Sequence, residues 1–101
     1  MATGKRWVSV LGSTGSIGVN TLDVIARHPD RFRLYALAAN SSVDAMLAQC
    51  LTFQPRYAVM MSETAADALQ ARLPEGCATE ILQGEEGLFR VVTAAEVETV
   101  M

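Results

Sequence analysis

The sequence has a single histidine, His28, and two cysteines, Cys50 and Cys77. A Ser-His-Asp or Cys-His relay would have one imidazole to draw on, and His28, followed by Pro29, reads as the end of a helix where it caps carbonyls. Cys50 and Cys77 show no CxxC spacing and no histidine cluster stands near them, which argues against zinc or a redox pair and leaves free thiols of a reducing compartment. Basic residues are also scarce. Eight Lys and Arg face eleven Asp and Glu, a formal net charge of −3. No basic stripe exists to neutralise nucleic-acid phosphates, and Arg27, Arg31 and Arg33, diluted by Asp30, read as a solvated helix end and strand start. No apolar run approaches the ~20 residues that a membrane helix requires, and no charged-then-apolar leader opens the chain. Residues 1–5 read as a short disordered lead, and the expected location is cytoplasmic.

What is present is globular. Half of the 101 residues are hydrophobic and 19% are charged, enough apolar material for the core of one small domain. The most informative stretch is Val8-Ser9-Val10-Leu11-Gly12-Ser13-Thr14-Gly15-Ser16-Ile17-Gly18, a short apolar strand, a glycine-rich turn and the start of a helical run. A dinucleotide site needs that order at the carboxyl end of a first strand. Gly12 lets the chain turn sharply, Gly15 lets a pyrophosphate approach the backbone, and Gly18 lets the helix lie close to the strand. The free N–H groups and partial positive charge of the helix start would then face the phosphates. The spacing is G-x-x-G-x-x-G, which as three glycines alone also fits a purely structural turn.

Beyond this turn the pattern predicts strands at 6–11, 32–39, 57–61, 79–82 and 97–101, and helices at 16–27, 43–53, 63–73 and 84–91. Ile17, Leu22, Val24 and Ile25 mark the buried stripe of the first helix; Val43, Met46, Leu47, Cys50 and Leu51 mark that of the second. Ser42 and Ser62 stand where helix N-caps are expected, and Thr93 where one further turn would be capped. Trp7 and the pair Met60-Met61 read as core or strand-end residues. Strand alternating with helix means an α/β fold, a Rossmann-like doubly wound parallel sheet. Its second strand should lie beside the first and the third beyond it. A complete dinucleotide fold has about six strands and five are counted here, so residues 1–101 read as the cofactor-binding, N-terminal part of a longer polypeptide.

A dinucleotide also needs polar groups near the phosphates and the adenosine ribose. Thr14 and Ser16 bring short hydroxyls to the turn, where local capping is the alternative role for each. The second strand ends in Ala39-Asn40-Ser41-Ser42, without the carboxylate that an NAD site places there to hold the ribose. Asn40, Ser41 and Ser42 can donate to a 2′-phosphate, which favours NADP, although an ordinary polar turn has the same residues. No catalytic centre can be placed. The acids Asp23, Asp44, Glu63, Asp67, Glu75, Glu80, Glu85, Glu86, Glu96 and Glu98 are scattered, and Glu85-Glu86 suits a helix start better than a metal.

The opening motif, with Asn20-Thr21-Leu22-Asp23-Val24, Arg27-His28-Pro29-Asp30-Arg31-Phe32, Gln49-Cys50, Phe53, Pro55-Arg56-Tyr57-Ala58-Val59 and Val97-Glu98-Thr99-Val100-Met101, resembles 1-deoxy-D-xylulose 5-phosphate reductoisomerases along essentially the whole chain. The resemblance implies isomerisation and NADPH-dependent reduction of 1-deoxy-D-xylulose 5-phosphate, a sugar phosphate, to 2-C-methyl-D-erythritol 4-phosphate in isoprenoid precursor synthesis. It further implies magnesium or manganese, a homodimer, and cofactor contacts at Gly12, Thr14, Gly15, Ser16, Ile17, Asn40, Ser41 and Ser42. Many members have Gly-Lys-Asn where this chain has Asn40-Ser41-Ser42. The family's acidic metal ligands and substrate-covering loop are expected beyond residue 101, so residues 1–101 would bind cofactor without catalysing. The alternatives are another NADP-dependent reductase, such as a semialdehyde dehydrogenase, and a non-catalytic nucleotide-sensing domain.

Overall fold

The computed structural model, which describes residues 6–95 and 97–101, alternates strand and helix from one end to the other. The elements are β1 (Arg6–Leu11), α1 (Ser16–Arg27), β2 (Phe32–Ala39), α2 (Val43–Phe53), β3 (Tyr57–Met60), α3 (Glu63–Arg72), β4 (Glu80–Gln83), α4 (Gly84–Thr93) and β5 (Thr99–Val100). All strand pairs are parallel, in the order β4-β3-β2-β1-β5. The expectation for residues 1–5 lies outside the described residues.

The order follows from short right-handed crossovers. From β1 the chain moves outward through β2 and β3 to β4, and α1, α2 and α3 cover one face. There Leu22, Ile25, Met46, Cys50, Ala65, Ala66 and Leu69 pack on Val8, Val10, Leu37, Ala39, Ala58 and Met60. After β4 the direction reverses. Helix α4 crosses the opposite face, where Val91 packs with Tyr35, Ala36, Ala38 and Val59, and β5 pairs with the free side of β1. The strand order therefore switches at β1, and doubly wound sheets form a crevice at the carboxyl ends of the strands at such a point. Ser9 ties the two layers together: its buried hydroxyl donates to the Val91 carbonyl at 2.9 Å. That carbonyl lies in the last turn of α4, where helix carbonyls run out of partners.

One irregularity interrupts the sheet. Val8 pairs with Leu34 but Ser9 with Ala36, so Tyr35 is a surplus residue on β2. Leu34 packs on the three-helix face, Tyr35 and Ala36 both on the α4 face, and Leu37 returns to the first. The bulge lets a large ring enter the second layer, where Tyr35 meets Trp7 edge-on at 5.9 Å and Tyr57 at 5.3 Å.

Several expectations are corrected in detail. Ile17 is 83% and Val24 51% exposed, and α1 instead buries Gly18, Leu22 and Ile25, because the residue facing the glycine turn must be small. Leu51 is exposed, since α2 turns Met46 and Cys50 inward one turn apart. Ser62 caps α3 by accepting from the Ala65 N–H, whereas Ser42 stands at the N-cap of α2 without a side-chain bond. Helix α4 continues to Thr93, whose hydroxyl donates back to Phe89 rather than capping a new turn. Thr79 precedes β4, its buried hydroxyl donating to the Pro55 carbonyl at 2.7 Å. Met60 is fully buried, Met61 only partly.

Candidate functional site

The turn after β1 has the backbone that its glycines suggest. Gly12 has φ +64°, a left-handed conformation that costs glycine little. Its carbonyl accepts from the Gly15 N–H at 3.0 Å, closing the turn. A Cβ on Gly18 would lie 2.1 Å from the Gly12 oxygen and 2.6 Å from the Ser13 Cα, so α1 packs directly against the turn. A Cβ on Gly15 would meet only the Gly12 oxygen, at an ordinary 3.5 Å. Internal crowding therefore does not require glycine at position 15.

Gly15 is the N-cap of α1 and Ser16 its first helical residue, so Ser16 is not the cap. Val19 is the first residue of α1 whose N–H is bonded, to the Gly15 oxygen at 2.8 Å, and no side chain caps the helix. The N–H groups of Ser16, Ile17 and Gly18 therefore have no partner within the helix, and the positive end of the helix dipole stands open. The last turn has the complementary cation, Arg27, paired with Asp23 at 3.1 Å.

Beside this helix start lies a cavity of about 460 Å³ at the carboxyl ends of β1, β2 and β3. Gly12, Thr14, Gly15, Asn40 and Ser42, singled out from sequence, all line it. Ser16, Ile17 and Ser41 do not. Ile17 projects from the first turn of α1 almost fully exposed, and Ser41 faces solvent while its carbonyl accepts from Val43. The apolar walls come from Leu11, Ala38, Ala39, Met61 and Leu88, which sequence reasoning did not assign to the site. Met61 was within reach of it: where Met60 faces the core at the end of a strand, its neighbour turns toward the cleft. Leu88 carried no such signal, because only the return of α4 across the sheet brings it there.

Among the described residues no charged side chain lines the cleft. An anion here would meet backbone N–H groups, the helix dipole, the Thr14 and Ser42 hydroxyls and the Asn40 amide. Asp44 pairs with Arg72 of α3, and Glu85 and Glu86 occupy the first turn of α4. Among the described residues no group of three His, Cys, Asp or Glu side chains converges to hold a metal ion, and no helix is long and apolar enough to cross a membrane. Cys50 and Cys77 are free and border a separate cavity of about 320 Å³. Burial, reinforced by Cys77, pushes the Cys50 thiol up from 9.0 to about 12.

Residues 8–101 match the model of a family described as 1-deoxy-D-xylulose 5-phosphate reductoisomerase. A reductoisomerase of that name from Nitrosospira multiformis is 55% identical over 97 residues, covering 95% of this chain and 25% of the relative. One from Saccharophagus degradans is 52% identical, covering 93% and 24%. A crystal structure of DOX-P reductoisomerase with NADPH, fosmidomycin and magnesium superposes with a TM-score of 0.88 at 38% identity, covering 94% of this chain and 23% of that one. The enzyme from Zymomonas mobilis in complex with NADPH gives 0.83 at 33% identity, covering 91% and 24%. The chain thus spans about a quarter of the length of the relatives it matches.

Proposed function

Because this chain belongs to the 1-deoxy-D-xylulose 5-phosphate reductoisomerase family, we propose that residues 1–101 form the NADPH-binding part of such an enzyme. The full reaction assigned to it is isomerisation and NADPH-dependent reduction of 1-deoxy-D-xylulose 5-phosphate to 2-C-methyl-D-erythritol 4-phosphate. One juxtaposition carries the reading: the uncapped start of α1, with a bare Gly15, opens beside a cleft that Asn40 and Ser42 close from the end of β2.

The division of labour within the cleft follows from the donors. The pyrophosphate lies over Gly12, Thr14 and Gly15 and accepts from the N–H groups of Ser16 and Ile17, whose backbone rather than side chains is engaged. The exposed Ile17 side chain packs on the cofactor. Asn40 and Ser42, with Ser41 beside them, meet the adenosine ribose and its 2′-phosphate, where none of the described lining residues is a carboxylate that would repel the added charge. Bound NADPH supplies a hydride; this chain's residues bind and orient it.

Magnesium accompanies the related crystal structure, and on the family resemblance the ligands of magnesium or manganese are assigned to residues outside 1–101. A homodimer and a cytoplasmic location complete the proposal, on the family resemblance. Calorimetric titration of the chain with NADPH and with NADH tests it. Saturable binding that is tighter for NADPH is expected; no heat from either nucleotide overturns it.

A further inference from the structure

We propose that Gln49 is a positioning residue for the cofactor, locking the glycine turn to α2 from below; this rests on the NADPH reading above. Ser13, in the middle of the turn, is fully buried and does not line the cleft, whereas Gly12 and Thr14 on either side of it do. Its backbone is held from two directions. The Ser13 N–H donates to the Ala38 carbonyl of β2 at 3.0 Å, and the Ser13 carbonyl accepts from Gln49 Nε2 at 2.8 Å. Gln49 belongs to α2, the helix that Ser42 opens at the ribose side of the cleft. One side chain thus ties the proposed pyrophosphate turn to the helix that starts at the proposed ribose turn.

The amide orientation is chemically determined, because only the nitrogen of Gln49 can face a carbonyl oxygen. Among the described residues buried Oε1 then finds no donor, and buried Ser13 Oγ no hydrogen-bond partner. An apolar side chain at position 49 would avoid burying such a half-satisfied group, so packing alone does not account for glutamine. Holding the turn in its ligand-ready shape before the cofactor arrives does, since donors fixed in advance need not be ordered on binding.

Calorimetric NADPH titrations of the full chain as a function of pH, with wild type, Gln49→Glu and Gln49→Met, test the inference; thermal melts run alongside. At about pH 8 a carboxylate at position 49 cannot donate to the Ser13 carbonyl, and the loss of one hydrogen bond predicts binding roughly fivefold to tenfold weaker than wild type. As the pH falls and that carboxyl protonates, it donates again, and the Gln49→Glu deficit relative to wild type should shrink. Gln49→Met, similar in volume and unable to donate, should be weaker by a like factor at every pH. Wild-type affinity in Gln49→Met, or a Gln49→Glu deficit that does not change with pH, overturns the inference while leaving the cofactor reading intact. A wild-type chain that binds no NADPH at any pH overturns both.

Discussion

Gly18 lies so close beneath Gly12 that a Cβ placed on it would stand 2.1 Å from the Gly12 carbonyl oxygen, with the Ser13 Cα only 2.6 Å away. Both obstacles are backbone, so no side chain can rotate aside. Gly18→Ala must push α1 off the turn or deform the turn. We expect a loss of about 3 kcal/mol, at the upper end of overpacking costs, read as a lowered urea midpoint together with lost NADPH binding. A midpoint within error of wild type would show that α1 can slide freely.

Gly15→Ala should behave in the opposite way. The added methyl meets nothing closer than 3.5 Å, and the backbone at φ −82° suits alanine. Stability should therefore fall by no more than about 1 kcal/mol, the cost of alanine in place of glycine at the N-cap of α1. The methyl would nonetheless occupy the space above the helix start where a phosphate is proposed to sit. NADPH affinity should fall by at least tenfold, an effect of about 1.4 kcal/mol, in calorimetry on a protein that still melts cooperatively. Intact binding would remove the pyrophosphate from this position.

The ribose side tests the coenzyme preference. Asn40 lines the cleft and Ser41 stands just outside it. A carboxylate at either position would face a 2′-phosphate, and two like charges a few ångströms apart near a protein surface repel by several times the thermal energy. Asn40→Asp should weaken NADPH by about tenfold or more and NADH far less, with Ser41→Asp following in the same direction by a smaller factor. Equal effects on both coenzymes would place the 2′-phosphate elsewhere.

The thiols should report on folding. Cys50 is fully buried, and its thiol is held protonated up to about pH 12, while the unfolded chain releases that proton near 9.0. Between those values the unfolded state binds fewer protons, so stability contributed by the neutral thiol is complete below pH 9 and declines as pH rises. Urea midpoints measured across that window should fall more steeply for wild type than for Cys50→Ala. Equal slopes would count against the assignment. Below pH 9 a thiol reagent should label Cys77 and leave Cys50 until the chain unfolds.

Much of this architecture was legible in the residues. The helix 16–27 and the strand 32–39 are bounded by punctuation that acts locally: Gly15 before the first, Pro29 after it, Asn40-Ser41-Ser42 after the second. Gly12, Thr14, Gly15, Asn40 and Ser42 converge in the cleft because strand, turn and helix in that order leave the chain little choice. What escaped was set by contacts between distant segments. Periodicity favoured Ile17 for the core because it is large and apolar, but the proximity of the turn admits only Gly18. Gln49 has no sequence signature as a partner of Ser13, since their meeting depends on how α2 lies against the sheet. Leu88 joins the site only through a crossover spanning the width of the sheet.

The surplus residue in β2 reaches further than its own ring. Were Tyr35 paired in simple succession, every later position of that strand would advance by one step of about 3.3 Å and exchange faces. Ala38 would then no longer lie opposite Leu11, as it does now. Asn40 would leave the sheet one step higher and turned away from the glycines. The place of Asn40 at the cleft is thus decided five residues upstream, by an aromatic ring packed in the α4 layer that does not itself line the cleft.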